Sequence, residues 1–465
     1  MNIKANFFLS VFLLNILCLC SDAYAQVKKR PNIILIMADD IGYETTNING
    51  GVDYQTPQLD NMAKNGIRFT NCFSQPLCTP SRVKIMTGRY NSDNYVDFEY
   101  LPYEETTFGN ILKNAGYKTM IAGKWQLNGQ QIGAETANDI TTPSHFGFDE
   151  YCLWQLVGKG SRYAKPEITQ NGQKLKTTID DYGPDIFSSY ILNFIDKNKD
   201  EPFFVYYPMV LTHSPFTPTP KSKAWADHKM RLKEGKNKKE AFQDMVSYTD
   251  DIVGRIRQKL KDLKIDDNTI VIWTGDNGTA KSITSSFEGE NYKGGKGSLK
   301  NNGTHVSLIC EFPNGGMKNV VSDNLIEFSD FVPTLCDFAM QPIPQNVVGK
   351  SFAGFLSKDY KATPRENIFV HYYARINQVE SSYGTFTRNK NYKYYWDGRF
   401  YDMVKDKWEN KPLNLKKLNT QELINYNELK AALDSKKIWD FSKVEALNKT
   451  DGKKSSNSSK KKKDE

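Results

Sequence analysis

The chain has 465 residues, more than one ordinary hydrophobic core accommodates, which predicts one large domain plus a smaller one. Its formal net charge is +8, but the last fifteen residues, Asp451 to Glu465, hold six lysines against three acids and supply three of those charges. The remainder is mildly basic, which suits an anionic substrate, and the absence of a basic stripe interleaved with aromatics argues against a nucleic-acid partner.

In chain order, the first feature reads as an export signal. Lys4 precedes an apolar run from Phe7 to Cys20, and Ala23-Tyr24-Ala25 forms a small-x-small cleavage site before Gln26. Residues 1–25 are therefore expected to be a signal peptide, and the mature protein periplasmic or secreted. No later run reaches the roughly 20 apolar residues that span a bilayer, so stable membrane insertion is not expected. Leucine before Cys18 and before Cys20 disfavours a lipoprotein. Outside the signal stand Cys72, Cys78, Cys152, Cys310 and Cys336. Export permits disulfides, so two pairs with one thiol left over is one expectation, and buried unpaired cysteines the other.

Several apolar runs then stop abruptly at polar residues. In "PNIILIMADDIG" a run from Ile33 to Met37 delivers Asp39 and Asp40, and "KTMIAGKWQLNG" runs through Met120 and Ile121 to Lys124 and Gln126. "PFFVYYPMVLTHSPF" ends at His213, and "NTIVIWTGDNGT" ends at Asp276 and Asn277. Runs apolar at every residue suit strands covered on both faces, as in a parallel sheet. Helical spacing lies between them, in "TPQLDNMAKNG", "ETTFGNILKNAGY" and "FQDMVSYTDDIVGRIRQKLKDL". This alternation predicts an α/β fold, a large and mostly parallel mixed sheet sandwiched by helices. Ligands bind beyond the carboxyl ends of such strands, which brings the polar clusters together.

From about Glu366 the pattern changes. "NIFVHYY", "YGTFTRNKNYKYYW" and "GRFYDMVKD" alternate aromatic and polar residues, as antiparallel strands do, and a helix is expected from about Thr420 to Leu433. The expected organisation is a catalytic domain over residues 26–360, a small C-terminal antiparallel-sheet-plus-helix domain over 361–447 and a Lys/Ser-rich disordered tail over 448–465. Tyr372, Tyr373 and Trp396 fit either sugar stacking or a core.

Asp39, Asp40, Asp276 and Asn277 are hard oxygen donors, a set that prefers Ca²⁺ or Mg²⁺ to zinc. Three carboxylates at one point repel one another unless cations neutralise them. Arg82, Lys124 and Lys296 add positive charge, and His213 can serve as a proton donor. Together they describe chemistry on an anionic ester, with cations stabilising charge on the transferring group and an acid protonating the leaving oxygen.

The stretch "CTPSRVKIMTGR", beginning at Cys78, resembles the signature of the type I sulfatases, Cys-x-Pro-Ser-Arg followed by Thr-Gly-Arg. The resemblance extends in order through "PNIILIMADDIGY", "TPQLDNMAKNGIRFTNCF", "LPYEETTFGNILKNAGYKTMIAGKW", "HFGFDEY", "LTHSPF", "TGDNGT", "GGKGS" and "DFVPTL", over roughly residues 30 to 415. It implies an alkaline-phosphatase-like fold, and oxidation of Cys78 to 3-oxoalanine (Cα-formylglycine), the nucleophile, by a formylglycine-generating or sulfatase-maturating enzyme. It further implies one Ca²⁺, in preference to Mg²⁺, on Asp39, Asp40, Cys78, Asp276 and Asn277. Arg82 would support the formylglycine, Lys124 and Lys296 would contact the sulfate, and His213 would stand beside the ester oxygen. The implied substrates are sulfated carbohydrates, among them algal polymers such as ulvan, carrageenan or fucoidan.

Two places depart from the family. Gln126 in "GKWQLNG" stands where the family usually has histidine, and a glutamine cannot accept a proton near neutral pH. After "GKG" the chain reads "SLKNNGTHV", which puts Asn301, Asn302 and His305 in a region that shapes the family's site. Gln126, Asn301 and His305 are accordingly expected to bind substrate, and His145 is a further candidate to face it. His228 and His371 are expected at structural or surface positions. Two other readings stay open: a phosphonate monoester or phosphodiester hydrolase of the same superfamily, and a weakly active glycan-binding relative.

Overall fold

The computed structural model describes residues 30–375, 383–439 and 441. The expected signal peptide and the expected tail lie outside the described residues.

The run at Ile33–Met37 becomes β1 (Asn32–Ala38), every residue of which is buried. Its neighbours in the sheet are β7 (Phe203–Pro208) on one side and β8 (Thr269–Gly275) on the other, both parallel to it. Beyond β7 come β3 (Lys118–Lys124) and β4 (Glu150–Trp154), also parallel, and then the short antiparallel β5 (Ile168–Gln170) and β6 (Gln173–Lys174). On the other flank β11 (His305–Glu311) runs antiparallel to β8 and to β2 (Ile67–Phe73), and β12 (Val320–Glu327) pairs parallel to β2. The order β12-β2-β11-β8-β1-β7-β3-β4-β5-β6 is the large, mostly parallel mixed sheet expected from the uninterrupted apolar runs, while β9 (Thr284–Phe287) and β10 (Glu290–Lys293) form a separate antiparallel pair.

Alternate side chains of β1 supply two cores. Ile33, Leu35 and Met37 pack with Val83 and Ile85 of α2 (Cys78–Thr87), Phe108 and Leu112 of α3 (Phe108–Asn114) and Phe331 of α6 (Phe331–Ala339). Ile34, Ile36 and Ala38 pack with Leu59 and Met62 of α1 (Pro57–Lys64), Ile191 of α4 (Gly183–Lys197) and Ile252 and Ile256 of α5 (Lys238–Asp262). The helices begin where local chemistry starts them. Pro57 opens α1, and at α3 the Thr107 hydroxyl accepts from Gly109 N while the Asn110 side chain accepts from Thr107 N, a capping box.

The change of pattern near Glu366 marks a second sheet, β13 (Ile368–Tyr372), β14 (Gly384–Arg388), β15 (Tyr392–Tyr395) and β16 (Phe400–Asp402), antiparallel throughout. Helix α7 (Thr420–Asp434) lies against β14 and β15, with its buried residues Leu429 and Leu433 in an aromatic cluster with Tyr394 and Phe400. Tyr372 and Tyr373 are core residues, and Trp396 is partly buried against the same packing.

Helix α2, which begins at Cys78, is buried along its whole length and includes two cations, Arg82 and Lys84. A buried charge survives only when paired. Lys84 Nζ meets Glu327 Oε2 at 2.8 Å and donates to Phe369 O of β13 at 2.8 Å. Glu327 Oε1 in turn meets Arg365 at 2.8 Å. Burial opposes ionisation of Glu327, but Arg365 and Lys84 outweigh it and bring its carboxyl down to about 2. This network joins helix α2 to the large sheet and to the second one.

All five described cysteines are unpaired and buried, so the expectation of two disulfides is corrected and the alternative holds. Each is fixed on a packed strand or helix, with no partner at bonding distance. Burial raises the thiols of Cys152 and Cys336 to about 12, which leaves them inert near neutral pH.

Removing one member of a buried ion network strands its partners. Lys84→Met is therefore expected to lose about 3–5 kcal/mol of stability, read as the shift in urea denaturation midpoint. A shift close to zero would show that the network is not what fixes α2.

Candidate functional site

The parallel strands β8, β1, β7 and β3 are consecutive in the sheet and end at one edge. Their register decides what meets there. Ala38 pairs with Gly275, so Asp39 and Asp276 are the next residues on adjacent strands, and Asp276 N donates to Ala38 O at 2.9 Å. The chain leaving β7 stays beside Asp39: Asp39 N donates to Leu211 O and Thr212 N to Asp39 O, which delivers His213 to the same edge. At the end of β3, Gly123 has φ +116°, and an added Cβ would lie 2.1 Å from Pro208 O. Only glycine lets β3 close against β7 and present Lys124.

Helix α2 arrives from β2 at that edge. Ser81 Oγ donates to Asp276 O at 2.6 Å, which fixes the first turn of the helix to the end of β8. Arg82 donates to carbonyls only, those of Cys78, Lys124, Trp125 and Gln126. It is a brace that joins the helix start to the β3 end, as support for residue 78 requires.

The side chains of Asp39, Asp40, Cys78, Lys124, Asp276 and Asn277 are at most 2% exposed. Ligand atoms of Asp39, Cys78 and Asp276 lie within 4.8 Å of one another, and so do those of Asp39, Asp40 and His213. Lys124 Nζ meets Asp39 Oδ2 at 2.8 Å, Lys296 Nζ meets Asp40 Oδ2 at 2.8 Å, and Asn277 Nδ2 donates to Asp40 Oδ1 at 2.8 Å. His213 Nε2 stands 4.0 Å from Asp40 Oδ2. The site residues expected for nucleophile, metal and sulfate are thus one cluster.

Burial would raise Asp39, but Lys124, His213, Lys296 and Arg162 overcome it and hold the carboxyl well below the usual carboxylate range. Asp276 goes the other way: burial, then the charges of Asp39, Cys78 and Asp40, raise it well above that range. Burial also disfavours the Lys296 charge, yet Asp40, Cys78 and Asp39 together raise its pKa. Burial pushes His213 down to about 4 against the pull of Asp39 and Asp40. Its Nδ1 lies 2.7 Å from Ser214 O, an atom that can only accept, so the neutral ring carries its proton on Nδ1 and leaves Nε2 as the acceptor.

Two buried acceptors in the cluster, Asp39 Oδ1 and Asn277 Oδ1, have no hydrogen-bond partner. Unpaired oxygens among crowded carboxylates fit a hard divalent cation. Asp39, Asp40, Asp276, Asn277 and the residue 78 side chain could hold one.

Three residues expected to contact substrate are engaged by other groups of the protein. The His305 ring stacks on Tyr43 at 4.0 Å and on Phe73 at 5.1 Å, Nε2 is bonded to Thr70 O, and burial with nearby Arg388 lowers it to about 3. It is a packing residue. Asn301 Oδ1 accepts from Arg388 Nη1 at 2.6 Å and its backbone N donates to Glu409, so it ties the glycine-rich loop to the second sheet. His145 stacks on Tyr103 at 3.5 Å with Nε2 on Tyr103 O, away from the cluster's residues. Asn302 Nδ2 donates to Lys293 O. Of the remaining histidines, His228 is exposed beside Asp180, and His371 is buried with Nδ1 on Thr385 Oγ1. Gln126 does sit at the site, its backbone held by Arg82 and its Nε2 donating to Glu99 Oε1 at 2.5 Å.

Residues 31–341 match the family described as "Sulfatase". The chain belongs to the sulfatase family. Residues 293–441 also match the family described as "N-sulphoglucosamine sulphohydrolase, C-terminal". The N-acetylgalactosamine-6-sulfatase of Homo sapiens is 31% identical over 54% of this chain, which spans only half of that enzyme's length. The N-acetylglucosamine-6-O-sulfatase of Bacteroides thetaiotaomicron is 24% identical over 84% of this chain and 82% of its own. Among solved structures, that of Ps i-CgsB superposes with a TM-score of 0.71 at 24% identity, over 88% of this chain and 94% of that one.

Two residues of this sulfatase-family site were not anticipated. Arg162 Nη1 lies 3.6 Å from Asp39 Oδ2, with its guanidinium stacked 4.0 Å over the Trp154 ring. Arg162 stands on the loop that leaves the end of β4 at Trp154. Glu99, 3% exposed, accepts from Gln126 and from Gln155 Nε2, and faces Lys159 at 3.5 Å. No pattern in the sequence marks it, because its partners come from two distant loops, those after β3 and after β4.

Relieving the carboxylate crowding tests the cation fit. Ca²⁺ at about 100 times its Kd is expected to stabilise the wild-type protein by about 2.7 kcal/mol, seen as a raised melting temperature that a chelator reverses. Asp276→Asn should melt no lower than wild type without cation and should lose most of the response to it. An undiminished response would remove Asp276 from the ligand set.

Proposed function

We propose that this protein is an exported sulfatase that releases sulfate from sulfated carbohydrates. The observation that carries the reading is the buried meeting of Asp39, Cys78 and Asp276 within 4.8 Å, with Lys124 and Lys296 each 2.8 Å from an acid of the same cluster. Such a site offers anion-binding cations around a nucleophile position, which sulfuryl transfer requires. The names of the curated relatives support sulfated sugars as the substrate class, and hexosamine 6-sulfates join ulvan, carrageenan and fucoidan fragments as candidates. Export rests on the leader at residues 1–25, and the division into residues 26–360 and 361–447 is proposed as the working domain boundary.

A Ca²⁺ on Asp39, Asp40, Asp276, Asn277 and residue 78 would neutralise the acids and polarise the anionic ester. Oxidised to formylglycine by a maturating enzyme, Cys78 would offer a hydrate in which one hydroxyl takes the sulfuryl group and the other expels it. The chain's own residues do the rest. Ser81 and Arg82 hold residue 78 against the ends of β8 and β3, and Lys124 and Lys296 bind the sulfate oxygens. His213 serves the leaving oxygen. In the free site its ring is neutral above about pH 4. An anionic ester beside Nε2 favours the imidazolium, so the proton is taken up with the substrate.

In a host that supplies the maturating enzyme, mass spectrometry of the peptide containing residue 78 is expected to find formylglycine, and Cys78→Ala to abolish sulfate release. An active preparation carrying only unmodified cysteine would defeat the mechanism. His213→Gln should lower kcat about 10²–10⁴-fold on alkyl sulfates and much less on aryl sulfates, whose leaving groups need no proton. Because the substrate raises the His213 pKa, the ionisation that limits kcat on the alkaline side should lie above the one that limits kcat/KM. Equal losses on both ester types would take His213 out of proton donation.

A further inference from the structure

A cavity of about 300 Å³ adjoins the catalytic edge, and its walls include Arg162, Tyr163, Pro215, Thr217, Arg231 and Leu232. Three of these place it beside the chemistry: Pro215 and Thr217 lie two and four residues after His213 in the chain, and Arg162 reaches Asp39. Arg162 is built into position. Its guanidinium lies 4.0 Å over Trp154, and buried Nη1 has the ion pair to Asp39 at 3.6 Å but no hydrogen bond. Thr217 is 3% exposed, and its Oγ1 also has no partner. A guanidinium nitrogen held only by a long ion pair and a buried hydroxyl with no partner, on one cavity wall, both keep hydrogen-bonding capacity for a ligand that supplies acceptors. Arg231, 6% exposed and held by Trp225 O, Ile179 O and Asp180, adds a second guanidinium to the same wall.

The cavity does not end there. Ser161 and Leu232 also line a neighbouring cavity of about 570 Å³, which brings together Lys165, Lys174 and Lys176, with Glu167 as the acid among them. Leu232, 54% exposed, stands at the junction of the two cavities as an apolar surface of the kind a sugar ring covers. Positive charge therefore continues from the catalytic lysines through Arg162 to the three lysines, on one side of His213.

We propose that Arg162 and Thr217 form a subsite for a second anionic group of the substrate, a sulfate or a uronate carboxylate, and that the adjoining lysine-lined cavity continues it along a polyanionic oligosaccharide. This rests on the sulfatase reading and names its substrate class: chains with more than one anionic substituent, not singly sulfated sugars. Arg162 acts here through a charge-assisted hydrogen bond to the bound saccharide, and Thr217 through a neutral one.

The test uses matched pairs of saccharides, each singly sulfated sugar compared with the same sugar bearing a second sulfate and with the same sugar joined to a uronic acid. Wild-type protein is expected to prefer one of the doubly anionic members at least tenfold in kcat/KM. Arg162→Ala should reduce that ratio about 10- to 100-fold and Thr217→Val about 3- to 10-fold, through KM more than kcat. A ratio near one in wild type, or equal losses on singly and doubly anionic members, would overturn the subsite and leave Arg162 as a neutraliser of Asp39. A second arm measures calorimetric binding of the same saccharides without the scissile ester but with the second anionic group. Binding that Arg162→Ala abolishes, while the variant's melting temperature is kept, supports the subsite whatever the activity. Failure of formylglycine-containing wild type to release sulfate from any member would refute the sulfatase reading alone.

Discussion

Everything at this edge of the sheet follows from placing three carboxylates, Asp39, Asp40 and Asp276, where water does not reach them. Uncompensated, that arrangement is prohibitive, because each ion loses its hydration and gains two like neighbours. The fold compensates by position. Lys124 and Lys296 come from elements far apart in the chain, and each is fixed by backbone constraints, a glycine at the end of β3 and a glycine-rich loop before β11. The opposite directions in which Asp39 and Asp276 move record the imbalance: cations gather on one acid and leave the other to the repulsion. A site that holds such unequal acids within reach of each other is arranged for a further positive charge.

The same constraint explains why helix α2 is buried throughout. Its first turn must reach the ends of β8 and β3 to bring residue 78 to the acids, so its sides are enclosed by both the sheet and the smaller antiparallel layer. Arg82 answers this enclosure by turning all its donors to backbone carbonyls, and Lys84 by pairing with Glu327 and a carbonyl of β13. The cations of "CTPSRVK" therefore have different duties from those of Lys124 and Lys296. They hold the position of residue 78 and are not free to meet an anion.

What was legible in the sequence was what repeats along a strand. Runs apolar on every residue announce a sheet covered on both faces, and the rule that sites lie beyond the carboxyl ends of such strands assembles Asp39, Lys124, His213 and Asp276. What was not legible depends on contacts between loops. Arg162 stands on a loop after a strand whose apolar run, "YCLW", was too short to stand out. His305 and Asn301 looked functional because they follow the glycine-rich loop, but a register in which His305 pairs with Phe73 turns the ring into an aromatic stack and sends Asn301 to Arg388. The cysteines misled for a simpler reason: export permits disulfides, and permission carries no geometry.

The departure at Gln126 is local and is answered locally. Glu99, Gln126 and Gln155 are three non-glycine residues with φ of 64°, 48° and 54°, a left-handed conformation that L side chains adopt at a cost. All three meet at one carboxylate, since both glutamine amides donate to Glu99 Oε1. Strained residues persist only where the surroundings over-determine them, and here the surroundings are each other. A position that had merely lost its histidine would need no buried acid, no second amide and no shared backbone strain. The carboxylate that Gln126 grips gives this corner of the site an ionisable group that glutamine lacks.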